Sequence, residues 1–178
     1  TLDLASEEGA RIVRELAATC DVFVENFKAG TLGKYGLDYE GIRAARPDIV
    51  YCSITGFGHD GPYAARPAYD FVMQALSGLM STNGQPEGAP GSSPLRTAIP
   101  LTDMVTGLYA AIAILAALMH RRESGEGQFI DAAMLDSAVA LNANLAVGFL
   151  MNGKVPKRSG NTNAVVAPSD SFETSDGS

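Results

Sequence analysis

Residues 21–27, DVFVENF, and residues 48–54, DIVYCSI, decide the fold. Both are short runs rich in Val, Ile, Phe and Tyr, and both read as strands. A helical pattern precedes each of them. Upstream of the first, Ser6 is a good N-cap, and Glu7 and Glu8 favour the first turn of a helix running to about Ala18. Its apolar positions Ile12, Val13, Leu16 and Ala17 are expected on one face. Upstream of the second, Asp38 caps a helix over Tyr39–Arg46, and Pro47 leads into the strand. Helix, strand, helix, strand predicts an α/β fold with a parallel sheet covered by helices.

The pattern continues in the same manner toward the C-terminus. Thr55–Pro67 is rich in Gly and Pro and reads as a loop; Ala68–Met80 is apolar at helical spacing. Ser81–Pro100 is a second loop, long for a compact domain. A long helix is expected from Thr102 or Asp103 to near Gly125. A third strand over Gly127–Met134 then runs into a helix over Leu135–Met151. Beyond Asn152 the composition turns polar and no regular element is evident, which suggests a main unit over 1–152 and a polar linker or next segment over 153–178. Within the long helix, Met104–Met119 is uniformly apolar but shorter than the roughly 20 residues a bilayer needs. A buried helix of a soluble protein is the expectation, with no membrane partner.

Composition narrows the function classes. Apolar residues make up 46% and charged residues 19% of the 178, which excludes a disordered tail and a coiled coil. Thirteen Lys plus Arg against twenty Asp plus Glu give a net charge of −7, the wrong sign for a general nucleic-acid binder. Cys20 and Cys52 are far apart and match no metal or disulfide spacing, so no metal site is expected and a reducing cytoplasm fits. The chain opens TLDLASEEGARIV, with acids where a signal peptide carries positive charge. It also begins without Met, as a segment of a longer protein would.

Few residues suggest chemistry by themselves. Gly56–Gly61, GFGHDG, follows a strand and satisfies GxGxxG, but Pro62 comes at once and no helix N-terminus is available for a pyrophosphate. A tight glycine turn, or a loop at a strand's carboxyl end whose N–H groups hold an oxyanion, are the readings left open. His120 stands beside Arg121 and Arg122 at a helix C-terminus, where the dipole favours cations. His59 is followed by Asp60, but no GxSxG elbow occurs to complete a triad. Among carboxylates, Glu87 lies in NGQPEGAP, Asp103 precedes the long helix as a natural cap, and Asp136 lies in MLDS. These residues alone do not name a reaction.

The order of larger motifs does. VENF, GFGxxGPY, YD-x-x-x-QAxSGLM, TDxxTGLYA and GxGQxID follow one another here, and together resemble the class III CoA-transferases, the CaiB/BaiF family. The resemblance runs over essentially the whole chain, which has about half the family's length. It implies a Rossmann-like large domain and an interlocked homodimer in the full-length protein. It further implies transfer of coenzyme A from an acyl-CoA to a small carboxylic acid through an acyl-carboxylate anhydride and an enzyme–CoA thioester. CoA thioesters would serve as substrates, with no tightly bound cofactor.

Matching the family pattern puts the nucleophile at Glu87, where many members read Asp. CoA contacts would fall on Asn26, Phe27, Lys34 and Tyr35, with Thr55, Gly56, Phe57 and Gly58 at the thioester. A family relative, the α-methylacyl-CoA racemase, takes an Asp at the position of Asp103 as part of an acid/base pair, but Tyr69 stands here in place of its His. With a reference pKa near 10, Tyr is a poor base at neutral pH, so transfer is the expectation. A non-catalytic acyl-CoA-binding relative is the remaining alternative.

Overall fold

The computed structural model describes residues 1–163 and 166–176; Ala164, Val165, Gly177 and Ser178, which fall in the expected linker, lie outside the described residues. Helix α1 (Glu7–Ala18) starts where expected, with Ser6 Oγ accepting the Gly9 N–H at 3.0 Å. Its inward stripe is Ala10, Val13 and Ala17. Leu16 departs from the expected face and is 57% exposed, because one residue along a helix turns the side chain by about 100°. Strand β1 (Val22–Glu25) follows, then a 3-10 turn over Leu32–Tyr35, absent from the expectation. Helix α2 (Tyr39–Ala45) is capped by Asp38, whose Oδ1 accepts the Gly41 N–H at 3.1 Å.

Strand β2 (Val50–Thr55) pairs in parallel with β1 on one side and with β3 (Gln128–Ala133) on the other. Register aligns Phe23 with Tyr51 and Phe129, and two residues on, Glu25 with Ser53 and Asp131. Alternation puts both rows on one face of the sheet. The aromatic row stacks, with Phe23 and Tyr51 centroids 5.0 Å apart and Tyr39 of α2 edge-on to Tyr51 at 5.9 Å. Tyr51 also donates its hydroxyl to Leu37 O at 3.0 Å. Leu37, Ile42 and Ile49 complete this core, each fully buried aliphatic side chain contributing about 1.5–3 kcal/mol.

The opposite face carries the remaining helices. The expected single helix over 68–80 is two pieces, α3 (Asp70–Leu76) and α4 (Leu79–Thr82). They are separated by Gly78 at φ +89, a left-handed turn that no helix interior tolerates. Helix α5 (Leu101–Ser124) packs on β2, β3 and α3. Its buried residues are small, namely Thr102, Thr106, Ala110 and Ala117. The expectation of a buried helix is therefore corrected: Leu108, Ile112 and Leu115 are each more than 60% exposed on the outward face. By length and composition α5 would suffice to cross a bilayer, yet its small-residue face is seated on the sheet. The last expected helix is also two, α6 (Met134–Leu141) and α7 (Ala143–Asn152), meeting at a 67° bend. At the bend, Asn142 donates its side-chain amide to Ser77 O at 3.0 Å, a tertiary bond that competes with helix continuation. Beyond Asn152 the described residues form no helix or strand, and Arg158 and Gly160 bond back to Gln85 and Gly84.

The two ends of the sheet differ in character. At the amino ends of the strands, Arg121 bonds Asp21 at 2.8 Å and Arg46 bonds Asp48 at 2.6 Å. The Arg46 guanidinium, with help from Arg121, outweighs burial and holds the Asp48 carboxyl below its usual range. That end is locked by ion pairs. The carboxyl ends open onto a cavity, where parallel sheets place their ligands.

Candidate active site

The cavity holds about 470 Å³ and is bounded chiefly by four segments. Asn26, Phe27 and Lys28 come from the loop after β1, Thr55 and Gly56 from the end of β2, and Ala64–Asp70 from the loop entering α3. The first two turns of α5 supply Asp103, Thr106 and Gly107. Five of the expected residues thus converge: Asn26, Phe27, Thr55, Gly56 and Asp103.

The glycine turn is built to approach this wall closely. A Cβ on Gly56 would sit 2.0 Å from the Ala68 Cβ, so no larger residue fits. Gly58 has φ +82 and donates its N–H to Thr55 Oγ1 at 2.9 Å. The His59 N–H goes to Asp131 Oδ2 at 2.7 Å. These two amides are therefore already occupied, which narrows the oxyanion-loop reading to other donors. Phe57 turns away and packs edge-on to Tyr63 at 5.4 Å.

Asp103 was expected to cap its helix; the structure assigns that work to Asp70. Asp70 Oδ1 accepts the Thr102 N–H and the Thr102 hydroxyl, each at 2.7 Å, and the Asp103 N–H at 3.4 Å. Its Oδ2 accepts from the buried Gln74 at 2.7 Å. Burial pushes the Asp70 carboxyl up, but the hydrogen bonds from Thr102, Gln74 and Asp103 outweigh it and leave it below its ordinary value. Asp103 moves the other way, raised by desolvation and then by the negative charge of Asp70. One carboxylate is thus bound by protein donors, and its neighbour is exposed at the cavity wall. A carboxylate at a cavity wall can reach a bound ligand as a nucleophile.

The remaining expected residues lie elsewhere. Glu87 is exposed on the loop between α4 and α5 and does not line the cavity. Its neighbours hold it outward: the Ala89 N–H bonds Pro86 O, Arg158 bonds Gln85 O, and Asn83 and Leu95 bond each other. Lys34 sits over the Tyr35 ring at 4.7 Å, and Tyr35 leans on the core. Neither lines the cavity. Asp136 is exposed on α6 beside a different hollow. Among the described residues, no group of three or more His, Cys, Asp or Glu could hold a metal ion.

Sequence reasoning missed Asp70, Lys28 and Arg66. Arg66 lines the cavity with its guanidinium 4.0 Å from the Tyr63 ring centroid. Lys28 directly after VENF and Arg66 directly after GFGHDGPYAA, two cations beside the motif loops of an acidic chain, were a usable signal. The role of Asp70 was not, since its partners on α5 lie more than thirty residues away.

Comparison with known proteins bears on this geometry. The model of CoA-transferase family III matches residues 1–178. A succinate–glutarate CoA-transferase of Agrobacterium fabrum is 46% identical over 175 residues, covering 98% of this chain and 43% of that protein. A succinyl-CoA:glutarate CoA-transferase of Homo sapiens is 43% identical over 176 residues, covering 99% of this chain and 39% of that protein. The crystal structure of a CaiB/BaiF family protein from Brucella suis superposes with a TM-score of 0.92 at 47% identity, covering 99% of this chain and 46% of that one. The chain spans less than half the length of each of these relatives.

Proposed function

The chain belongs to CoA-transferase family III, and from that premise we propose that its protein moves coenzyme A from an acyl-CoA to a carboxylic acid, with Asp103 as the nucleophile. The observation that carries the reading is convergence: Asp103 shares one cavity with Asn26, Phe27, Thr55 and Gly56. Glu87 fits the role less well because it stands outside that lining.

The ionised Asp103 attacks the thioester carbonyl, the C–S bond breaks, and CoA leaves as a thiolate from a mixed anhydride. The thiolate attacks the aspartyl carbonyl of that anhydride, releasing the donor acid and leaving an Asp103–CoA thioester. The acceptor carboxylate attacks in turn, freeing thiolate and forming a second anhydride. Attack of the thiolate on the acyl carbon yields the new acyl-CoA and restores Asp103. Asn26, Phe27, Thr55 and Gly56 hold the pantetheine end. Lys34 and Tyr35 remain candidates for the nucleotide end of CoA, reached along the surface.

The acids are of the dicarboxylic class. Relatives are named for succinate and glutarate, and Lys28 and Arg66 offer cations for a distal carboxylate. Residues 1–152 act as the large-domain part and 153–178 lead out of it. The exposed apolar face of α5 and α7 suits burial in an interlocked homodimer, and two unpaired thiols suit a cytoplasmic protein without a membrane partner.

The test is mass spectrometry of the full-length protein incubated with succinyl-CoA, together with an acceptor panel. A hydroxylamine-sensitive CoA adduct on Asp103, lost in Asp103→Asn, is expected. An adduct on Glu87 would overturn the assignment. Exchange of the α-hydrogen with deuterium and no transfer would replace the reaction with a racemase's.

A further inference from the structure

Glu25, Ser53 and Asp131 form one polar row across the three strands, immediately beyond the aromatic row. Ser53 is fully buried, in a strand whose other residues are nearly all apolar, so its hydroxyl is costly unless bonded. It bonds on both sides: Ser53 Oγ pairs with Glu25 Oε1, and His59 Nε2 lies 2.7 Å from the same oxygen. The hydroxyl has a single hydrogen. With Glu25 ionised that hydrogen goes to the carboxylate, so His59 Nε2 must carry the hydrogen donated to Ser53. The other Glu25 oxygen accepts the Phe27 N–H at 2.7 Å. His59 in turn donates its backbone N–H to Asp131, and its ring stands edge-on to Phe129 at 5.2 Å.

The result is an unbroken chain of bonds from Phe27 through Glu25, Ser53 and His59 to Asp131. It joins the loop after β1 to the loop after β2, and these two loops wall the cavity. Apart from Phe27 at its end, the proposed reaction uses no residue of this chain. We propose that it is a strap that holds the two walls at a fixed separation for the acyl-CoA, and that His59 is its positioning residue. The inference rests on the reading of the cavity as the acyl-CoA site. His59 is suited to the task because its ring reaches back from the turn to the sheet while its own amide binds the neighbouring strand. Asp131 and the adjacent Asp60 flank it, together with Glu25 through Ser53.

A strap that sets wall spacing acts on substrate and transition state alike, so its loss falls on KM more than on kcat. In the full-length protein, His59→Leu is expected to raise KM for the acyl-CoA by about tenfold, the worth of one good buried hydrogen bond, with kcat within about threefold. KM for the free acid should be unchanged. Amide exchange of residues 26–30, remote in sequence from the substitution, should quicken in His59→Leu and in Ser53→Ala. His59→Gln, whose side-chain amide can donate to Ser53, should restore both readouts. Unchanged KM and unchanged exchange at 26–30 in His59→Leu would overturn the strap, and so would failure of His59→Gln to rescue. If the unaltered protein transfers no CoA at all, the function reading falls. The strap is then judged by exchange at 26–30 and by calorimetric CoA binding in the same three variants.

Discussion

The loop after β2 and the loop before α5 are alike in composition, both being rich in Gly and Pro, yet the structure treats them differently. The first is pinned to the sheet: Gly58 bonds Thr55, His59 bonds Asp131, and the Leu135 N–H bonds Gly56 O. The second bonds largely to itself and to residues 158–160, reaching α3 through Thr97 and Gln74. Anchorage, rather than glycine content, separates the loop that walls the cavity from the loop that carries Glu87 outward. Two carboxylates that look equally plausible along the chain are thereby assigned different surroundings.

The largest expected effect tests that division directly. Asp103→Asn should lower kcat of acyl transfer by about a thousandfold or more, because an amide cannot form the anhydride. Glu87→Gln should stay within about twofold, as exposed substitutions usually do. The reverse ranking in a steady-state assay would break the comparison. A smaller effect is expected at Gly56, where a new Cβ has no room beside Ala68. Gly56→Ala should cost about 1–3 kcal/mol through overpacking, read as a lower urea midpoint. Pro86→Ala in the loop that carries Glu87 should change stability by less, about 0.4–1 kcal/mol through the freer unfolded chain.

The smallest effects concern pH. Asp70 is held below its ordinary pKa in the folded protein. Its contribution to stability is therefore fully present above the unfolded-state value, about 3.9, and is lost as pH falls through the lower folded value. Asp70→Asn should flatten the acid end of the stability curve while its remaining carbonyl still caps α5. The same change removes a negative charge that raises Asp103. The acid limb of kcat/KM should accordingly move to lower pH in Asp70→Asn, since Asp103 must be ionised to attack. An acid limb that does not move would mean that the charge of Asp70 does not act on the proposed nucleophile.

What could be read along the chain was what neighbours in sequence decide. Ser6 and Asp38 cap their helices three residues on, and the β-branched and aromatic run DIVYCSI marks a strand wherever it packs. The ordered motifs from VENF to GxGQxID carried the family, since they reach across the whole chain. What the chain could not disclose was decided by groups far apart in sequence. The cap of α5 comes from Asp70, the bend at Asn142 is bonded to Ser77, and the outward face of α5 is fixed by which small residues meet the sheet. The apolar run Met104–Met119 has no polar face to orient it, so periodicity could not say which side would be covered. Glu87 and Asp103 differ by only sixteen positions, and only folding separates them, because a carboxylate's reactivity depends on the solvent and charge around it rather than on its neighbours in the chain.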